Sequence, residues 1–116
     1  MNFLIALQPE ARPLIDKFKL KKRNGTHPFS VFENETHRLV ISGIGRIQAA
    51  AATGFLLGQQ DGRPQAIINL GIAGHGSLDV GTAFLANRIF HSREKGIYYP
   101  PAVLHSKISK SGLETM

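Results

Sequence analysis

Residues 3–7 read F-L-I-A-L and form an unbroken apolar run close to the first residue of the chain. Side chains of a β-strand point alternately to the two faces of a sheet, so a run with no polar residue is typical of a strand buried on both faces. Such a strand lies inside a sheet, with helices packed on each side. This segment therefore predicts a central strand around which the rest of the fold is arranged.

Strands and helices alternate along the rest of the sequence. Residues 66–70, A-I-I-N-L, repeat the apolar pattern and predict another strand buried on both faces. The other predicted elements are a helix over residues 9–20, strands over 28–34 and 38–42 that form a hairpin, a helix over 46–60, and a strand ending near Phe90. This order predicts an α/β fold with helices on the faces of one sheet.

The composition limits the classes of protein that the chain can represent. It has 116 residues, 42% of them apolar and 19% charged, and it contains no cysteine. This length suits one compact domain, and the lack of cysteine excludes disulfides and thiolate chemistry. No apolar run approaches the roughly 20 residues that a membrane-spanning helix needs. We therefore expect a cytoplasmic protein with no membrane partner.

The chain is basic, with a formal net charge of +6 and a pI of about 10.1. Much of the excess lies in residues 17–23, which include Arg23 and four lysines. One interpretation is a nucleic-acid-binding module, and the other is a solvated helix end followed by a turn. No aromatic residues alternate with the basic ones as in a single-strand-binding groove, so we favour the second interpretation and expect no nucleic-acid partner.

Two segments at predicted strand ends carry residues that can take part in catalysis or ligand binding. Glu10 follows the first strand, where its carboxylate either complements a helix dipole or serves a site at the edge of the sheet. Residues 42–46, S-G-I-G-R, follow the second strand of the hairpin and precede a helix. Glycines there either form a tight turn or let the backbone approach a ligand at the helix N-terminus.

The third such segment, residues 69–76, reads N-L-G-I-A-G-H-G. Its glycines suit either an irregular loop or a loop that approaches a ligand closely. The five histidines of the chain lack the spacing of metal ligands, so we expect neither a metal ion nor a cofactor. The roles of His75, Tyr98 and Tyr99 stay open.

The order of these motifs resembles one family. A-L-x-x-E at residues 6–10, S-G-I-G-R-I-x-A-A at 42–50, I-I-N-x-G-x-A-G at 67–74 and V-G at 80–81 resemble the nucleoside phosphorylase and nucleosidase family. The sequence looks closest to the branch that contains methylthioadenosine/S-adenosylhomocysteine nucleosidase and futalosine hydrolase. The resemblance covers about residues 3–90.

The resemblance implies a mixed central sheet flanked by helices, a homodimer, and cleavage of the N-glycosidic bond of a purine nucleoside. It implies that Glu10 is the catalytic carboxylate that activates water for attack on the ribose anomeric carbon. The residues that it places at the substrate are Gly43, Gly45, Arg46, Ile72, Ala73 and Gly74.

The sequence departs from the family in its last part. The family's later E-M-E run, which binds the ribose hydroxyls, and its Ser-Asp pair, which protonates the purine, are absent from the 116 residues. We expect residues 1–95 to be the N-terminal part of a nucleosidase-like domain, truncated relative to the family, and residues 96–116 to be an extended, poorly ordered tail. Two alternatives to hydrolysis stay open: phosphorolysis, and a relative that binds or stores a purine nucleoside without cleaving it.

Overall fold

A computed structural model describes residues 1–59 and 65–100 of the chain, together with the backbone of Ser109–Thr115. The chain divides into two compact units, Met1–Gly74 and His75–Met116. Each unit has its own sheet and is described by itself. Within the described ranges, no helix is both long and apolar enough to cross a membrane.

The first unit contains a five-stranded mixed sheet and two helices. Its elements are β1 (Asn2–Ile5), α1 (Gln8–Phe18), β2 (Lys21–Lys22), β3 (Ser30–Glu33), β4 (Arg38–Ile41), α2 (Arg46–Gly58) and β5 (Ile67–Asn69). The strand order is β2-β3-β4-β1-β5. β1 pairs in parallel with β4 and β5, whereas β2, β3 and β4 pair antiparallel. The predicted α/β fold with a mixed central sheet is confirmed.

β1 lies between β4 and β5, and all four of its residues are buried. Ile5 packs in one core cluster with Ala11 of α1. Leu4 packs in a second cluster with Leu56 of α2. Because neighbouring residues of a strand face opposite sides, the two helices cover opposite faces of the sheet. The unbroken apolar run therefore marks a central strand, as predicted.

The predicted double burial of residues 66–70 is wrong. β5 pairs with β1 on one side, and no other strand of the described chain pairs with it. Ile68 is 38% exposed and Leu70 is 44% exposed, whereas Leu4 in β1 is 3% exposed. An apolar run predicts the strand itself, but its burial depends on neighbours that the run does not specify.

α1 has Leu7 as its N-cap and Lys19 as its C-cap, and the φ of Lys19, 53°, is left-handed. The Leu20 N–H donates to the Ile15 carbonyl at 2.9 Å, which closes the last turn. Leu20 itself is buried in the cluster below α1. The helix therefore ends slightly before the predicted boundary.

The second unit contains a three-stranded sheet. Its strands are β6 (Phe84–His91), β7 (Ile97–Tyr98) and β8 (Ser109–Thr115), in the order β7-β6-β8. β6 pairs antiparallel with β7 and parallel with β8. The strand predicted to end near Phe90 is thus present, while the division of the chain near residue 95 stays a prediction.

Candidate functional site

The three predicted strand ends lie at one edge of the sheet in the first unit. β1 runs parallel to β4 and to β5, so their carboxyl ends emerge on the same side. Backbone hydrogen bonds continue the pairing beyond the strands. The Gly43 N–H donates to the Ala6 carbonyl at 3.0 Å, and the Leu70 N–H donates to the Leu4 carbonyl at 3.0 Å. The loop after β1 is therefore flanked by the loops after β4 and β5.

Glu10 links two of these loops through its side chain. It is the third residue of α1 and is half-buried. Its Oε2 accepts a hydrogen bond from the Leu7 N–H at 3.1 Å, which is half of a capping box. Its Oε1 accepts one from the Ile72 N–H at 3.2 Å, across to the loop after β5. Glu10 thus caps a helix and reaches a glycine loop at the same time.

The environment of the Glu10 carboxylate leaves part of its hydrogen-bonding capacity available. The first turn of a helix favours negative charge. Within the described ranges, Glu10 forms no ion pair. An ionised carboxylate offers about four lone-pair sites, and the two backbone amides occupy two of them. The carboxylate is held in place and can still accept hydrogen bonds from water or a ligand.

The loop after β4 is shaped by two glycines with positive φ, 83° at Gly43 and 102° at Gly45. Residues with a Cβ rarely adopt such angles, so both positions favour glycine. Gly45 is the N-cap of α2, and its carbonyl accepts from the Ala49 N–H at 3.0 Å. No side chain caps this helix. Its first-turn amides are a means of binding a hydroxyl or an anion beside β1. Arg46 is the first residue of α2 and is exposed.

The loop after β5 contributes mainly backbone. Ile72 is 88% exposed, and it meets Glu10 through its N–H rather than its side chain. Ala73 and Gly74 are exposed, and a Cβ added at Gly74 would meet no atom within 4 Å. A Cβ at Gly71 would lie 3.5 Å from Glu10 Oε1. The sequence reasoning did not single out Gly71, although its position directly before Ile72 was visible in the motif.

Several residues considered in the sequence have other roles. Arg23 does not belong to a solvated basic run: its Nε and Nη2 donate to the two carboxylate oxygens of Glu33, both at 2.7 Å. His75 lies in the second unit, where its Nδ1 accepts from the Ser77 N–H at 3.1 Å and from the Leu78 N–H at 3.0 Å. The structure thus gives Arg23 a partner across a hairpin and gives His75 partners in its own loop.

Tyr98 and Tyr99 are 63% and 70% exposed.

A concavity of about 370 Å³ lies at the loop between β2 and β3, and its lining includes Lys22, His27 and Phe29. Its lining includes neither Glu10 nor any residue of the two glycine segments. No group of three or more metal-ligating side chains occurs in the part of the chain that the structure describes.

Comparison with known proteins places this geometry in a structural context. No family model and no curated protein sequence matches the chain. The fold is similar to the crystal structure of 5′-methylthioadenosine/S-adenosylhomocysteine nucleosidase from Neisseria meningitidis in complex with methylthio-immucillin-A, with a TM-score of 0.66 and 26% sequence identity. The match covers 80% of this chain. This chain has a nucleosidase-like fold.

The same match covers 42% of the nucleosidase chain, so the present sequence corresponds to less than half of that structure. The similarity supports the fold that the sequence motifs implied.

Proposed function

We propose that Glu10 is the water-activating carboxylate of a nucleosidase-type site, which hydrolyses the N-glycosidic bond of a 5′-substituted purine nucleoside. The observation that carries this proposal is the position of Glu10. Its carboxylate joins the loop after β1 to the loop after β5, and the loop after β1 is also hydrogen-bonded to the glycine turn after β4. The similarity to a solved methylthioadenosine/S-adenosylhomocysteine nucleosidase supports nucleosidase-type chemistry at a coarse level.

The reaction needs a group that can both remove a proton and stabilise positive charge. Glu10 takes a proton from a water molecule while the water oxygen forms a bond to the ribose anomeric carbon. The bond from that carbon to the base nitrogen breaks, and its electron pair leaves with the base. The sugar passes through an oxocarbenium-like state, which a nearby carboxylate stabilises. The two amides that hold Glu10 fix the direction from which it approaches the water.

The other proposed site residues would bind rather than react. The N-terminus of α2 begins at Arg46 and is preceded by Gly43 and Gly45. Backbone amides at a helix N-terminus suit ribose hydroxyls or an anion. Ile72, Ala73 and Gly74 form an exposed backbone strip beside Glu10 that suits the ribose and the base. These assignments follow the family resemblance, and the common sheet edge supports them.

The direct test is release of free base from 5′-methylthioadenosine, S-adenosylhomocysteine or futalosine, followed by chromatography. Glu10→Gln keeps the size of the side chain and removes its charge, and we expect it to lower the rate by about 100-fold or more. Glu35→Gln is the matched control, because Glu35 is exposed in the turn between β3 and β4. Equal rates for Glu10→Gln and the unmodified chain would exclude this role of Glu10. A rate that depends on phosphate would indicate phosphorolysis instead.

A second candidate function is binding of a purine nucleoside without cleavage. It is favoured by the exposed backbone of Ile72, Ala73 and Gly74, which suits the ribose and the base and contains no reacting group. Calorimetric titration with 5′-methylthioadenosine separates the two functions. Saturable binding without release of base supports the binding protein, whereas release of base supports the enzyme. The homodimer and the cytoplasmic location stay predictions.

A further inference from the structure

Gly71 stands out among the glycines at this edge, because its backbone does not require glycine. Gly43 and Gly45 have positive φ angles, whereas Gly71 is not among the residues with positive φ. A side chain at Gly71 would therefore cause no backbone strain of that kind. What distinguishes this position is its neighbour: an added Cβ would lie 3.5 Å from Oε1 and 4.0 Å from Cδ of Glu10.

These distances are ordinary van der Waals contact, so a methyl group would fit without moving Glu10. It would nevertheless cover one side of the carboxylate. Oε1 already accepts the Ile72 N–H at 3.2 Å, and Oε2 accepts the Leu7 N–H at 3.1 Å. Water must therefore approach the lone pairs that remain. A methyl group against Oε1 would exclude water from part of that approach.

We infer that Gly71 is a positioning residue of the site, whose missing side chain keeps Oε1 of Glu10 open to water. This inference rests on the proposed function for its consequence in catalysis, but the accessibility of Glu10 can be measured without turnover. The Gly71 backbone holds the Ile72 N–H next to the carboxylate, and the lack of a Cβ leaves the space beside it free. A glycine at this position lets the backbone lie close to the Glu10 carboxylate and leaves the carboxylate uncovered by a side chain.

The test compares Gly71→Ala with Gly76→Ala in the full 116-residue chain. A Cβ at Gly76 would meet no atom within 4 Å, and Gly76 is not among the positive-φ glycines, so it is a matched control. The first measurement is the rate at which a water-soluble carbodiimide and an amine label the Glu10 carboxyl, followed by mass spectrometry of the peptide. We expect labelling to slow several-fold in Gly71→Ala and to stay unchanged in Gly76→Ala. Equal labelling in all three proteins would overturn the inference.

The second measurement is the kinetics of base release from 5′-methylthioadenosine. If water access is the limiting effect, Gly71→Ala lowers kcat by about tenfold and leaves KM within about twofold. A rise in KM with unchanged kcat would show that Gly71 contacts the substrate instead, and would overturn the positioning role. Slower labelling together with no base release from the unmodified chain would leave the accessibility of Glu10 established and would contradict the proposed function.

Discussion

Glu10 and Glu33 lie at opposite edges of the same sheet and are held in different ways. Glu33 ends β3 beside Arg38, which begins β4, so it lies at the edge where the parallel strands start. It accepts from Arg23 and from the Arg38 Nε at 3.0 Å. Glu10 lies where those strands end and is held by backbone amides. The charge of Glu33 is therefore neutralised by arginines, whereas the charge of Glu10 remains available.

The arginines that bind Glu33 also form hydrogen bonds to the end of α2. Arg23 Nη1 donates to Gln59 Oε1 at 2.8 Å, and Arg38 Nη1 donates to the Gln59 carbonyl at 3.2 Å. The two guanidinium groups thus join the hairpin to the C-cap of α2. The hydrogen bond from Arg23 is the main cause that lowers the pKa of Glu33 from 4.5 to about 2. Paired charges of this kind stabilise a fold but leave little capacity for proton transfer.

The largest expected effect on stability is that of Glu33→Gln. It leaves two half-buried arginines without their shared carboxylate, and we expect a loss of about 2 kcal/mol in the free energy of unfolding. Glu10→Gln keeps an acceptor for one amide and should cost less than about 1 kcal/mol. Urea denaturation followed by circular dichroism measures both, with Glu35→Gln as control. Equal losses in the free energy of unfolding for Glu10→Gln and Glu33→Gln would contradict the difference between the two edges.

The pH dependence of stability sharpens the same contrast. The pKa of Glu33 is lower in the folded chain than its ordinary value, so its contribution is complete above about pH 4.5 and is lost as the pH falls toward 2. After solvent screening we expect this part of the acid destabilisation to be about 1–2 kcal/mol. Urea midpoints between pH 5 and pH 2 should fall more steeply for the unmodified chain than for Glu33→Gln. Parallel curves would contradict the assignment.

The smallest of these effects on stability concerns the glycine turn after β4, at the edge that carries Glu10. Gly43 has a φ of 83°, so we expect Gly43→Ala to destabilise the chain by about 1 kcal/mol. Gly54 lies inside α2, and an added Cβ there meets no atom within 4 Å. Gly54→Ala should therefore stabilise the helix by up to about 1 kcal/mol. Thermal unfolding of both variants measures the difference in sign. Stabilisation by Gly43→Ala would remove the case for a strained turn.

The sequence predicted the features of the sheet that depend on local patterns. The run at residues 3–7 identified the central strand because both of its faces needed apolar side chains. Parallel strands put their carboxyl ends at one edge, which is why Glu10 and the two glycine segments could be expected to lie together. These inferences required only periodicity and general topology.

The remaining features depend on pairings between distant residues. The runs at 3–7 and 66–70 look alike, yet β1 has two neighbouring strands and β5 has one in the described chain. The pairing of Arg23 with Glu33 forms across a hairpin, so counting basic residues along the chain could not find it. The contact between Gly71 and Glu10 depends on a side-chain conformation and on a hydrogen bond between residues 62 positions apart. Local sequence patterns carry no information on either.

A titration of the ¹⁵N-labelled chain with 5′-methylthioadenosine, followed by amide NMR shifts, distinguishes the two edges most directly. We propose that ligand chemistry belongs to the edge that carries Glu10 and not to the edge that carries Glu33. We therefore expect saturable shifts of the Gly43, Gly71 and Ile72 amides, with the Glu33 and Arg38 amides unchanged. No saturable shift at the Glu10 edge, or shifts confined to the Glu33 edge, would contradict this proposal.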